Sequence, residues 1–173
     1  MRFPSGICLA LLVVGTLYAQ QSAAPLSSKA ANVTLVATVP SYVSVVPSTN
    51  QATFDFAGKT SAQTAFGLTV NWGLNSTTMN GVQLLAYFDN ATLALLDGNG
   101  HAISANRIDA AYGGSAFSRF AMSSEPLLLY TQPVTSENRT GTITNPLNLR
   151  LSLPQGQEPG RYQGVLHLRA QTY

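Results

Sequence analysis

The stretch LNLRLSL, residues 147–153, places a leucine at every second position. Leu147, Leu149, Leu151 and Leu153 would share one face of a β-strand, because successive side chains of a strand point to opposite faces. On an α-helix these leucines would be scattered around the axis, since a helix repeats every 3.6 residues. The stretch therefore predicts a strand with one buried face.

The same alternation recurs along most of the chain. Apolar residues at every second position predict further strands over residues 33–39, 52–56, 66–72, 82–88 and 166–170. Clusters of Gly, Pro, Asn and Asp predict turns at residues 47–50, 58–61, 80–81, 97–100, 113–114 and 159–160. The stretch 106–124 is less regular, and there we expect a loose connection with one short strand near residues 117–122. Short strands at this spacing are typical of an all-β sandwich or barrel.

The N-terminal stretch MRFPSGICLALLVVGTLYAQ predicts export. One positive charge at Arg2 precedes an apolar run over residues 7–14 and then small residues, which is the pattern of a secretory signal peptide. The run is shorter than the roughly 20 residues that a membrane span needs, so we expect no membrane span. We predict a signal peptide over residues 1–19, a flexible polar leader over 20–31 and a single domain over 32–173, located in the periplasm, at the cell surface or in the medium.

The composition excludes several function classes. Charged residues make up 9% of the chain, and the formal net charge is +2, against a typical charged share of about 25%. Nucleic-acid binding requires a concentrated basic surface, so we expect no nucleic-acid partner. The only cysteine is Cys8, inside the predicted signal peptide, so the exported chain is expected to hold neither a disulfide nor a thiolate metal site. A weakly charged surface suits a protein that assembles.

Catalytic signals are weak, and we predict a protein that is not an enzyme and needs no cofactor. His101 and His167 have no neighbouring nucleophile in sequence, and no Gly-x-Ser-x-Gly, His-Glu-x-x-His or phosphate-binding loop occurs. We interpret both histidines as solvated. Seven carboxylates are scattered along the chain, and the sequence singles out no glycosidase pair among them: Asp55, Asp89, Asp97, Asp109, Glu125, Glu137 and Glu158.

The stretch DGNGH, residues 97–101, faintly resembles a calcium loop. It lacks the further carboxylates and the terminal Glu that such a loop needs. Its Asp-Gly and Asn-Gly pairs supply the positive φ angles of tight turns, so we predict a turn and no metal site.

Aromatic residues offer an alternative function, because exposed rings beside amides can hold a sugar. The candidates are Tyr42, Trp72, Tyr87, Tyr112, Tyr130 and Tyr162. Trp72 shares its parity with Phe66, Leu68 and Val70, which favours a place in the core. A self-contained adhesive or glycan-binding module is therefore the alternative to a structural subunit.

Two stretches resemble exported bacterial subunits of the pilin-like and spore-coat-protein-U-like families. They are NVTLVATVPSYVSVVP, residues 32–47, and PGRYQGVLHLRAQTY, residues 159–173. The first matches an alternating Val/Thr strand that leads to a proline, and the second a Pro-Gly-x-Tyr-x-Gly stretch followed by a terminal strand. The resemblance implies an antiparallel immunoglobulin-like β-sandwich that serves as a non-enzymatic structural subunit.

The resemblance also implies that a strand from a partner completes the sandwich, first from a periplasmic chaperone and then from a like subunit. In this mode a free sheet edge accepts main-chain hydrogen bonds while alternate side chains fill a groove. The strand-exchange candidate is the segment with Val33, Leu35, Ala37 and Val39 on one face.

The last strand is expected to pack inward and to be held by strands on both sides. Its inward residues would be Leu166, Leu168 and Ala170, with Tyr162 and Gly164 at its entry. A last strand of this kind also fits a sandwich that is complete by itself, and the sequence leaves that alternative open.

Overall fold

The computed structural model describes residues 34–75 and 80–173, so the predicted signal peptide, the leader and Val33 lie outside the described residues. Residues Ala37–Tyr173 form one compact unit. Helical structure in the described ranges is confined to the two 3₁₀ turns Ala91–Leu93 and Ala105–Arg107. In this part of the chain no helix has the length and hydropathy that a membrane crossing requires. The prediction of an all-β class is confirmed.

The strands form two main antiparallel sheets and a short hairpin. In chain order they are β1 (Tyr42–Pro47), β2 (Ser61–Gly73), β3 (Gly81–Tyr87), β4 (Leu95–Leu96), β5 (Ala102–Ile103), β6 (Ile108–Tyr112), β7 (Ser118–Arg119), β8 (Leu127–Pro133), β9 (Thr140–Ser152) and β10 (His167–Thr172). The larger sheet has the order β1-β2-β9-β6-β7 and the smaller one β10-β3-β8, while β4 and β5 pair with each other. The core residues of both sheets pack into one cluster, so the fold is a β-sandwich.

The core follows the predicted period of two. In β2, Leu68, Val70 and Trp72 are buried, and in β9 Leu147 is fully buried. The Trp72 indole N–H donates to the Asn138 carbonyl over 3.0 Å. Leu149 and Leu151 are buried beside Leu147 on the same face of β9, as the opening stretch of leucines predicts.

The prediction of a loose connection over residues 106–124 is wrong. Residues Ile108–Tyr112 form β6, which is buried at every position and lies between β9 and β7. The sequence does not indicate that this strand is buried on both faces, because a carboxylate such as Asp109 is normally exposed. Arg119 and Arg150 lie opposite Asp109 on the two neighbouring strands and pair with it, which permits its burial. The short strand expected near residues 117–122 is β7, two residues long.

Two predicted strands are absent from the described residues. Residues 34–40 and residues 51–56 have no strand pairing. The first segment is exposed throughout, whereas Phe54 and Phe56 of the second are half-buried against the core. Both segments have the alternation of strands, so a pattern of side chains alone does not establish that a sheet partner is present.

Candidate functional site

A groove of about 1440 Å³ opens between the two sheets at the end where β2 and β10 begin. Large apolar side chains from β2, β9 and β10, and from the residues directly after β9 and before β10, line it: Phe66, Leu149, Leu151, Leu153, Leu166 and Leu168. The groove is therefore a part of the sandwich interior that the two sheets do not close.

The groove is open on the larger sheet because β1 is much shorter than β2. The ladder between them ends where Pro47 lies opposite Leu68. Ser48 extends it by one step: its N–H donates to the Gly67 carbonyl over 2.8 Å, and its hydroxyl accepts from the Gly67 N–H over 2.9 Å. Within the described residues, β2 over 61–66 pairs with β9 alone. The first half of β2 thus has an unpaired edge beside the groove.

The smaller sheet presents a second unpaired edge at the same groove. In the described part of the chain β10 pairs with β3 alone and lies at the edge of its sheet. Of the two strands expected beside β10, the described chain supplies only β3, because β1, which lies near β10, belongs to the ladder of β2. Leu168 of β10 and Leu166 just before it line the groove.

The residues predicted for the terminal strand lie as follows. Tyr162, Leu166, Leu168 and Ala170 are half-buried and pack against the core. Gly164 approaches the Ala94 carbonyl so closely that a Cβ atom there would lie 1.9 Å from its oxygen. A side chain at this position would therefore displace the backbone.

Hydrogen bonds fix the segment that leads into β10. Gln163 and Leu96 exchange two backbone hydrogen bonds of 2.8 Å each, which ties the segment to β4. The Tyr162 hydroxyl donates to the Glu158 carbonyl over 2.9 Å and accepts from the Gln157 side-chain amide over 2.6 Å. The Gly-x-Tyr-x-Gly stretch thus builds one wall of the groove.

The strand-exchange candidate is exposed and anchored at one end. Leu35 is 90% exposed and Val39 is 73% exposed, and Ala37 is also exposed. The Asn75 side-chain amide donates to the Val39 carbonyl over 2.9 Å, and its backbone N–H donates to the Ser41 hydroxyl over 3.0 Å. Asn75 follows the end of β2, whereas the groove lies at the start of β2, so the anchor and the groove are at opposite ends of that strand.

His101 caps a turn together with Asp97. The Asp97 carboxylate accepts from the backbone N–H groups of Asn99 and His101 and lies 2.7 Å from His101 Nδ1. The hydrogen bond from His101 lowers the pKa of Asp97, and the same bond raises the pKa of His101. Residues 97–101 therefore form the predicted turn, and the ion pair within it is a feature that the sequence did not indicate.

His167 also has a carboxylate partner. Its Nε2 lies 3.1 Å from an Asp89 carboxylate oxygen, and its ring stacks on Tyr87 with centroids 5.1 Å apart. In the hydrogen bonds that the structure describes, neither histidine ring contacts a Ser or Thr hydroxyl. The geometry gives these side chains a role in local packing.

Asp109 lies on the outer face of the larger sheet. Arg150, its cross-strand neighbour, alternates with Leu149 and Leu151, which line the groove on the inner face. Burial raises the pKa of Asp109, but hydrogen bonds from Arg119 at 2.9 Å and Arg150 at 2.7 Å outweigh it, so the pKa is lowered. This cluster joins β6, β7 and β9 behind the groove.

The six aromatic candidates for sugar binding do not share one surface, although the Tyr112 and Tyr130 rings pack edge to face with centroids 5.6 Å apart. Trp72 and Tyr112 are buried, and Tyr162 lines the groove. Tyr42 is on β1 and Tyr87 on β3, in different sheets, while Tyr130 is half-buried on β8. Glycan binding stays a prediction, and these residues do not form a common platform for it.

Comparison with models of protein families found no match, and a comparison with curated proteins likewise found none. The groove and the exposed segment before β1 are therefore the features from which a function can be inferred.

Proposed function

We propose that this protein is a secreted, non-enzymatic structural subunit of a bacterial surface assembly, joined to its neighbours by strand complementation. The groove of one copy accepts residues 33–39 of another. The observation that carries the proposal is the groove itself, because it combines an apolar interior with two unpaired strand edges, at β2 and at β10.

The segment and the groove are chemically complementary. Leu35, Ala37 and Val39 alternate along the segment and are exposed, while the groove presents leucine and phenylalanine side chains. An extended strand in the groove would hydrogen-bond a free sheet edge and bury its alternate side chains, which is how added strands gain affinity and specificity. The same contact covers edges that otherwise promote uncontrolled association.

The positions of the two partners favour an open chain of subunits. The segment is anchored at Asn75, at one end of β2, and the groove lies at the other end. A contact between different surfaces of identical subunits is heterologous, and it builds rings or filaments when each segment enters the groove of a different neighbour. Before assembly, the strand of a periplasmic chaperone would cover the groove.

The proposal is tested by placing charge in the donor segment of the full chain. Leu35→Asp with Val39→Asp removes the apolar side chains without disturbing the core, because both residues are exposed. We expect the purified wild-type chain to form concentration-dependent oligomers in size-exclusion chromatography with light scattering, and the double variant to remain monomeric. A synthetic peptide of residues 32–40 should then bind the double variant.

The matched control is Leu128→Asp, at a position 51% exposed on β8 and outside the groove. This variant should assemble like the wild type. A wild-type chain that stays monomeric at high concentration, together with a peptide that does not bind, contradicts strand complementation and favours the adhesive module. Binding to immobilised glycans by the monomer would support that alternative directly.

A further inference from the structure

Residues 49–58 lie along the groove without belonging to either sheet. Residues 49–54, Phe56 and Gly58 contribute to its lining. Phe54 and Phe56 are half-buried and pack against the core, whereas Ala52, Thr53 and Asp55 between and beside them are exposed. The segment therefore places alternate side chains toward the sandwich interior, as a strand would.

Among the residues that the structure describes, the hydrogen bonds of this segment are local. Asp55 accepts from the Ala57 N–H over 3.1 Å, and the Lys59 N–H donates to the Phe56 carbonyl over 2.7 Å. Thr49 bonds to Gln51 through its hydroxyl. Among the described residues, no backbone hydrogen bond joins 49–58 to β2 or β10. The segment buries apolar surface and leaves both strand edges unpaired.

The segment ends at a strained hinge. Ala57 has a φ of 42°, and the following Gly58 has a φ of 80°. Positive φ is unfavourable for a residue with a Cβ atom, so Ala57 stores backbone strain. A Cβ atom at Gly58 would meet no atom within 4 Å. The space beside the Gly58 Cα atom is therefore open.

We propose that residues 49–58 are an intramolecular strap that occupies the groove of the free subunit and is displaced when a donor strand enters. This inference depends on the proposed function. Phe54 and Phe56 are two residues apart, as successive donor residues are, and both line the groove, so strap and donor would compete for its apolar interior. The donor binds the groove more strongly than the strap, because the donor also forms main-chain hydrogen bonds with a sheet edge.

The test measures peptide affinity with and without the side chains that anchor the strap. In the full chain carrying Leu35→Asp and Val39→Asp, which cannot donate its own segment, Phe54→Ala and Phe56→Ala are added. A closed strap lowers the fraction of binding-competent molecules and raises the apparent Kd in proportion. If fewer than about one molecule in ten is open, the peptide of residues 32–40 should bind the strap variant at least about tenfold more tightly.

The matched control is Phe117→Ala in the same background, since Phe117 is half-exposed beside Arg150 and outside the groove. It should leave the Kd unchanged. Equal or weaker binding by the strap variant, with clear binding by its parent, overturns the strap and leaves the proposed function standing. A peptide that binds neither protein overturns the proposed function and the strap with it.

Hydrogen exchange provides a second readout that needs no change in the strap. When the peptide is added to the parent variant, amides of residues 49–58 should exchange faster and amides of residues 61–66 more slowly. Protection that increases in both segments would mean that the strap stays in place beside the donor, which overturns displacement.

Discussion

The two halves of β2 differ in what covers them. Over residues 68–73 the strand is paired with β1 on one side and β9 on the other, while over residues 61–66 it pairs with β9 alone among the described residues. In the closed half, residues 68–73, β1 contributes both half-buried valine side chains and a ladder of backbone hydrogen bonds. In the open half, residues 61–66, the segment 49–58 contributes phenylalanine side chains but no ladder of backbone hydrogen bonds. A segment that buries its side chains but does not pair its backbone can be replaced by a strand that does both.

The largest effect on the free energy of unfolding is expected when two residues on one face of β2 are replaced separately. Leu68 is fully buried in the closed half, and Leu68→Ala should lower the free energy of unfolding by about 2–5 kcal/mol. Phe66, two residues earlier, is half-buried at the groove, and Phe66→Ala should cost only about 1 kcal/mol because no closed cavity is left. Urea denaturation of both variants measures the difference. Equal losses would mean that the two halves are packed alike.

An intermediate effect is expected from the ion cluster behind the open half. Asp109→Asn leaves Arg119 and Arg150 without a charged partner and should cost about 1–3 kcal/mol at pH 7. The pKa of Asp109 is lowered from its ordinary value of 3.8, so its contribution is complete above that value and is lost as the pH falls through the lower folded pKa. The difference in stability between wild type and variant should therefore start to shrink below about pH 4 and disappear below the lowered folded pKa.

The control for this prediction is Asp89→Asn, because the Asp89 side chain is 79% exposed beside His167. It should change the stability very little, as exposed ion pairs do. A loss equal to that of Asp109→Asn would contradict the special role of the buried carboxylate.

The smallest effect is expected at the turn beside the entry to β10. Asp97 raises the pKa of His101 above its ordinary value of 6.5. The ion pair therefore stabilises the fold fully below that value, and its contribution is lost as the pH rises through the raised folded pKa. His101→Asn should lower the Tm slightly at pH 6 and leave it unchanged at pH 9. A double variant that also carries His167→Asn should still assemble, and loss of assembly would contradict the packing role of both histidines.

The strands with regular alternation were predictable from the sequence, and the groove was not. Segments of β2, β3, β9 and β10 were predicted because one face of each carries apolar residues at every second position. β6 was missed because it is short and its carboxylate, Asp109, gives no sign of burial in the sequence: the two arginine partners of Asp109 come from residues 10 and 41 positions later. Such pairing depends on the sheet order, which no local window contains.

The groove depends on a difference in length between two strands. β1 has six residues and β2 has 13, so half of β2 lacks a neighbour on that side in the described chain. Pro47 and the polar residues after it predict that β1 ends in a turn. They do not show that β2 extends past this point and stays paired with β9. Phe54 and Phe56 have the pattern of a strand and fill the space where a strand would lie.

Trp72 gives the chain an optical reporter. It is the only tryptophan, 5% exposed, and it packs over Gly141, where a Cβ atom would lie 2.2 Å from its ring. Its position in the closed half means that its fluorescence follows the unfolding of that half. Exchange of the strap for a donor strand would take place around the other end of β2, away from the indole. Tryptophan fluorescence thus reports the folding of the closed half in an unlabelled molecule, while light scattering reports assembly.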